Sequence, residues 1–159
     1  MIRRIPTILV DTREQSPWSF GSRAHRIKHT ALKVGDYSVL GMQNIVTVER
    51  KSVPDLFHTM TRGLARFEKE LDKVERTGMR FMAVIVEGSF ESISLGSRWS
   101  WAQPDRVLST FYQVCLKRGI APYVCDGRAE AEKVAWHLLY NCWLSKPRRI
   151  IGQGGGGGS

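Results

Sequence analysis

Apolar positions along the chain fall into short blocks divided by glycine, proline and asparagine. Their spacing changes from runs and alternation to a three-and-four repeat. Residues 5–11 form an apolar run that ends in Asp11-Thr12-Arg13-Glu14 and predicts a buried strand. A polar, aromatic loop follows over 15–22, and 26–32 predicts a weaker strand. Residues 36–40 and 45–50 flank Gly41-Met42-Gln43-Asn44 and predict a hairpin with those four residues as its loop. Ser52, with Pro54 in the first turn and Asp55 at the third helical position, predicts a capped helix start. Leu64, Phe67, Leu71 and Val74 then recur every three or four residues, which predicts a helix over 61–77 ending at Gly78. Residues 81–87 predict a buried strand and 89–101 a long loop. Pro104 opens another helix with Val107, Leu108, Phe111, Val114 and Cys115 inward and Gly119 as its stop. A strand over 121–125 leads to Asp126 as cap of a last helix, with Ala131, Val134, Ala135, Leu138, Leu139 and Cys142 on one face. Strands first, then alternating helix and strand, predict an α/β fold with a mixed sheet.

The length of 159 residues suits one domain with a sizeable core. Residues 1–146 read as that domain. Residues 147–159 read as a basic, glycine-rich flexible tail, in which Arg148 and Arg149 extend a short basic arm begun at Lys146 and Gly154 to Gly158 form a linker-like run. With 42% hydrophobic and 25% charged residues the composition is that of a globular protein. Lys and Arg outnumber Asp and Glu by 24 to 15, so the net charge is +9 and the pI about 9.9. That excess suits a polyanionic partner, nucleic acid foremost. An anionic membrane surface would use the same charge, but no amphipathic helix has a bulky apolar face left over for lipid. No apolar run reaches the roughly 18 residues of a membrane span. The three cysteines, Cys115, Cys125 and Cys142, form no C-x-x-C and read as buried reduced thiols. The N-terminus does not read as a signal peptide, because Pro6 interrupts too short an apolar stretch. The expectation is an intracellular protein, cytoplasmic in a prokaryote or phage and nuclear in a eukaryote.

The chemistry concentrates in Gly35-Asp36-Tyr37 and in Glu49-Arg50-Lys51-Ser52-Val53-Pro54-Asp55. With a four-residue hairpin loop, Leu40 pairs with Ile45 and Asp36 falls opposite Glu49, Cβ atoms about 5 Å apart. Two carboxylates that close repel unless a cation lies between them, and a hard oxygen site of this kind suits Mg²⁺ or Mn²⁺. Strand alternation puts Lys51 on the face of Glu49 and turns Arg50 to the other. Lys51 would orient or deprotonate water, or neutralise charge developing on a phosphate. A one-residue slip in register would send one carboxylate to the opposite face.

Gly-Asp-Tyr followed by Glu-Arg-Lys-x-x-x-Asp resembles the signature of XPF-type structure-specific endonucleases, within the PD-(D/E)XK nuclease superfamily. Val10-Asp11-Thr12-Arg13-Glu14 resembles the opening strand of that family, and Arg66-Phe67 with Glu70-Leu71 its next helix. The resemblance spans 8–143. It implies a restriction-endonuclease-like central mixed sheet flanked by helices on both faces. It also implies Mg²⁺-dependent hydrolysis of phosphodiester bonds in branched, flapped or forked DNA, with Mn²⁺ as a working substitute and a 5′-phosphate product. Asp36 and Glu49 would be the principal metal ligands and Lys51 the catalytic lysine. Asp11 would lie near the metal, Arg13 beside the scissile phosphate, and Glu14 as an outer ligand. Arg50 and Asp55 would be further motif residues. The family also implies a homodimer or heterodimer through the nuclease domain. Longer members add helix-hairpin-helix or helicase modules, which this sequence lacks.

Plainer readings stand beside these. Asp36 after glycine suits an ordinary turn, Asp55 a helix cap, and Arg13 with Glu14 a surface ion pair. Arg62, Arg66, Lys69, Lys73 and Arg76 make a basic stripe that would track a DNA backbone. Glu68, Asp72 and Glu75 alongside it equally suit a solvated face with i,i+4 pairs. His25 and His29 are four apart but fall in loop and strand, which argues against zinc. Trp99 and Trp101 would stack on unpaired bases or anchor a dimer or the core. Ser109 and His58 sit in no recognisable triad motif. The alternative function is a catalytically silent subunit that positions an active nuclease. A nuclease for another nucleic-acid substrate is the second alternative.

Overall fold

A computed structural model describes residues 4–24 and 26–146. His25, one of the histidine pair, and the whole tail 147–159, with Arg148 and Arg149 of the basic arm, lie outside the described residues. Six strands, β1 (Ile8–Asp11), β2 (Ile27–Thr30), β3 (Tyr37–Val39), β4 (Val46–Ser52), β5 (Phe81–Glu87) and β6 (Ala121–Cys125), form one sheet in the order β2-β1-β3-β4-β5-β6. β1 is parallel to β2 and antiparallel to β3, β3 is antiparallel to β4, and β4, β5 and β6 run parallel. The sheet is therefore mixed, as the order of elements in the sequence implies.

Among the described residues five α-helices cover it: α1 (Val53–Thr59), α2 (Leu64–Arg76), α3 (Phe90–Ser94), α4 (Pro104–Arg118) and α5 (Arg128–Ser145). The alternation of side chains along β5 shows how they divide. Ala83 and Ile85 pack with Ala135, Trp136 and Leu139 of α5, together with Trp18 and Phe20 from the loop after β1. Met82, Val84 and Val86 pack on the other face with Leu56, Phe57, Phe67, Leu71, Ile93 and Phe111 from α1 to α4. A strand buried on both faces reads as a continuous apolar run, and Phe81–Glu87 does. The restriction-endonuclease-like arrangement, helices on both faces of a mixed sheet, is thus present. Among the described residues no helix is long and apolar enough to cross a membrane.

Several boundaries differ from the expectation. The β3–β4 connection is longer than four residues, because Leu40 leaves the pair and donates its N–H to the Thr7 carbonyl (2.9 Å). Within 89–101 a short helix forms: the Ser89 hydroxyl accepts from Ser92 N–H (3.0 Å) and Ile93 is fully buried. The N-cap of α5 is Gly127 at φ 91°, not Asp126. A backbone at that φ suits glycine, and Glu130 reaches back to accept from the Asp126 N–H.

Candidate active site

The loop before β3 places the first carboxylate. Gly35 has φ 71°, and a Cβ there would lie 1.9 Å from Thr47 Oγ1, so both conformation and space call for glycine. Tyr37 pairs with Val48 in the register expected from the sequence. Asp36 N–H donates to the same Val48 carbonyl (2.9 Å). Two residues of one arm thus meet one of the other, a β-bulge, which is a common way to re-aim a side chain. The bulge keeps Asp36 in the same cleft as Glu49, and Arg50 N–H donates to Asp36 Oδ2 (2.8 Å).

Glu49 and Lys51 project from β4 toward α2. Lys51 Nζ donates to Glu49 Oε1 (3.1 Å) and sits 5.2 Å from the centre of the Phe67 ring. The two side chains keep only 12% and 17% exposure, Lys51 and Glu49 respectively. Burial first, and the neighbouring Glu49 second, push the Asp36 carboxyl up to about 8. Burial also raises Glu49, against the opposing pull of Lys51. Among the described residues Lys51 is the one side-chain cation bonded to this pair of half-buried carboxylates. The cleft of about 220 Å³ in front of them is also lined by Asp11, Arg13, Lys33 and Glu70.

Asp11 is buried at the end of β1 and its oxygens are engaged by protein donors. Oδ1 accepts from Arg13 N–H (2.8 Å) and Nε (3.1 Å), and Oδ2 from Arg13 Nη2 (2.6 Å) and Leu32 N–H (3.4 Å). Burial raises this carboxyl, but the Arg13 bonds outweigh it and hold it below its ordinary value. Arg13 also donates to the Leu32 carbonyl (2.8 Å) and remains 72% exposed at the cleft mouth.

Arg50 points to the opposite face. It donates to both oxygens of Glu14 (3.0 and 2.8 Å) and to Glu87 Oε2 (3.0 Å). Glu87 Oε1 accepts from Trp18 Nε1 (2.6 Å) and Arg128 Nη1 (3.2 Å). Glu14 therefore lies behind the cleft, bound to arginine, with Ser16 N–H as a further donor (3.1 Å). Asp55 is exposed in the first turn of α1, where its N–H donates to Ser52 Oγ (3.2 Å). It does not line the cleft.

On α2, Arg66 pairs with Glu70 (3.5 Å), whereas Asp72 and Glu75 are taken by Arg118 of α4 (2.6 and 3.1 Å). Among the described residues Arg62, Lys69, Lys73 and Arg76 make no ion pair, and all are exposed. Trp99 is 77% exposed and Trp101 fully so, which removes both from the core. Sequence reasoning passed over Lys33, Glu70 and Glu87 as site residues. A signal existed for Glu87, an acid closing a buried strand just as Asp11 does. Glu70 stands in the Arg66-Phe67, Glu70-Leu71 stretch that resembles the family's next helix, whereas Lys33 carries no signal, since its place in the cleft depends on the packing of α2 across the sheet.

Among the described residues no group of three or more His, Cys, Asp or Glu side chains is gathered for a metal. Asp36 and Glu49 each keep one carboxylate oxygen without a protein donor among those residues. Mg²⁺ is often held by one or two carboxylates with water and phosphate completing its shell, so a pair of this kind fits it.

A family model described as the ERCC4 domain matches residues 10–120. The fold is similar to XPF from Aeropyrum pernix, with a TM-score of 0.69 and 20% identity over 88% of this chain and 66% of that one. It is also similar to XPF from Aeropyrum pernix in complex with DNA, with a TM-score of 0.67 and 19% identity over 89% of this chain and 66% of that one. The chain spans just under two thirds of the length of those proteins. No curated protein matches it.

Proposed function

The chain belongs to the ERCC4 domain family, and from that premise we propose that it is a metal-dependent DNA endonuclease acting near a junction between double and single strands. One observation carries the reading: Asp36 and Glu49 share a cleft, and Lys51 Nζ lies 3.1 Å from Glu49 Oε1. The DNA complex of the similar Aeropyrum pernix XPF supports DNA as the polymer.

Asp36 and Glu49 would hold one divalent cation, Mg²⁺ or Mn²⁺. When bound it polarises a phosphoryl oxygen and lowers the pKa of a water. Asp36 is aimed by the bond from Arg50 N–H to Oδ2, which leaves Oδ1 without a protein donor among the described residues. Lys51, kept in place by Glu49 and the Phe67 ring, brings a positive charge to the oxygens of a phosphate, where charge builds during in-line attack. It also orients a water for that attack. Arg13, pinned on two sides by Asp11, offers its exposed guanidinium to the same phosphate. Asp11 thus acts through Arg13. Arg50, Glu14 and Glu87 support the site from the other face of the sheet. Arg62, Lys69 and Lys73, with Arg66, offer phosphate contacts along α2. A dimer through this domain belongs to the same proposal.

The test is cleavage of end-labelled flap, fork, four-way-junction, duplex and single-stranded DNA with Mg²⁺, Mn²⁺ or EDTA, beside Lys51→Ala. Metal-dependent cuts near a junction, lost in the variant, are expected. Tight binding with no cutting in any metal would instead favour a subunit that positions an active partner.

A further inference from the structure

The carboxylate cleft does not end at Asp36. Lys33 and Val34 form its wall on one side and are also the wall of a second, larger groove of about 570 Å³. That groove runs on to Gln43 and Asn44 at the tip of the β3–β4 connection and to Thr77 beyond α2. The direction of α2 makes the two continuous. Gly63 and Arg66, at its start, share a pocket with Lys51, whereas Thr77, after its end, shares the groove wall with Ile45. Its 13 residues, about 20 Å of helix, therefore flank the whole path.

The path is basic. Lys33 lines both the cleft and the groove and Lys73 lines the cleft; both are exposed and among the described residues make no ion pair. The side-chain amides of exposed Gln43 and Asn44 offer further donors. An uncompensated lysine at the entrance with amide donors beyond it suits a phosphodiester backbone, and the groove's continuity with the cleft assigns that backbone to the strand being cut.

We propose that the cleaved strand continues from the carboxylate pair into this groove, and that Lys33 binds a phosphate next to the scissile one. Lys33 is then a positioning residue: it fixes where along the strand the cut falls without touching the reacting atoms. The inference rests on the nuclease reading, and its test separates the two.

A junction substrate carries a neutral methylphosphonate at each of the phosphates flanking the scissile bond in turn. Initial rates below saturation are compared for the wild-type chain and Lys33→Ala. Lys33→Ala on unmodified DNA is expected to lose about tenfold in kcat/KM, mostly through KM, the scale of one charged contact. One neutral phosphate within two of the scissile bond should cost the wild-type chain the same, and combining the two should cost nothing more. Asn44→Glu, a negative charge on the far wall, should slow cleavage and leave the metal requirement unchanged. Losses that multiply at every phosphate, or a Lys33→Ala protein as fast as wild type, would overturn the groove while leaving the nuclease reading standing. A wild-type chain that cuts no unmodified substrate would sink that reading, and the groove with it.

Discussion

Arg50 N–H donates to Asp36 Oδ2 at 2.8 Å while the Arg50 guanidinium lies on the opposite face of the sheet between Glu14 and Glu87. One residue of β4 thus joins the cleft to a buried ion network. The main-chain bond aims Asp36, and the side chain holds that stretch of main chain still. Trp18 and Arg128 extend the hold to the loop after β1 and to α5.

Removing the guanidinium leaves two carboxylates on that face without their partner. Arg50→Met should destabilise the fold by about 3–5 kcal/mol, the usual result of breaking a buried pair from one side. Glu87→Gln, which leaves the Glu14 pair intact, should cost clearly less. Urea unfolding of both variants measures this. A loss under about 1 kcal/mol for Arg50→Met would mean that solvent screens the network.

The acids of the site pull stability in opposite directions with pH. Asp36, raised to about 8, keeps in the folded chain a proton that the unfolded chain has released. Its contribution therefore falls as pH rises from about 4 to 8, and Glu49, also raised, acts in the same sense. Asp11 and Glu14 are held below their ordinary values, since their arginine partners outweigh the effect of burial. Their contribution is present above about pH 4 and is lost as pH falls through their depressed values. With EDTA present, the urea midpoint should peak in mild acid and decline toward about pH 8. Asp36→Asn should flatten that decline, and Mg²⁺ at about pH 8 should raise the wild-type midpoint. A midpoint indifferent to Mg²⁺ would count against a cation between Asp36 and Glu49.

Gly35 tests the geometry behind the bulge. Gly35→Ala forces a Cβ to within 1.9 Å of Thr47 Oγ1 at a positive φ. A loss of roughly 2–3 kcal/mol in stability is expected from strain and overlap together. Cleavage should fall as well, because Asp36 is the next residue. Adding Thr47→Ala removes the overlapping oxygen and should recover part of the stability, but not the cost of the positive φ. Full recovery would place the whole effect in the overlap.

The basic face of α2 predicts a salt effect. Lys69→Ala with Lys73→Ala should weaken DNA binding and lower the slope of log affinity against log salt by about two, one for each phosphate no longer neutralised. Arg118→Ala, which frees Asp72 and Glu75, should instead lower helix stability. An unchanged slope in the double variant would return the stripe to an ordinary solvated face.

Much of the fold was legible along the chain because it rests on local periodicity. The run 81–87 and the repeat of Leu64, Phe67, Leu71 and Val74 state which faces are buried whatever their neighbours do, and both became the expected elements. The short helix Phe90–Ser94 was not legible, since Ile93 is a single apolar anchor whose burial depends on α4.

The site divides in the same way. The order of residues determined that Glu49 and Lys51 share a face of β4 and that Arg50 takes the other, because a strand alternates with period two. The need for glycine before Asp36 came from the fold, where a Cβ at Gly35 would meet Thr47 Oγ1. Only the tertiary structure decided that Asp36 bulges on Val48, that Asp11 also accepts from Leu32 N–H, and that Glu14 pairs with Arg50 behind the sheet. These are contacts between segments distant along the chain or irregularities in a ladder, and no local period encodes them. The groove past Lys33 belongs to the same class, since it exists only where α2 lies across strands far from it in sequence.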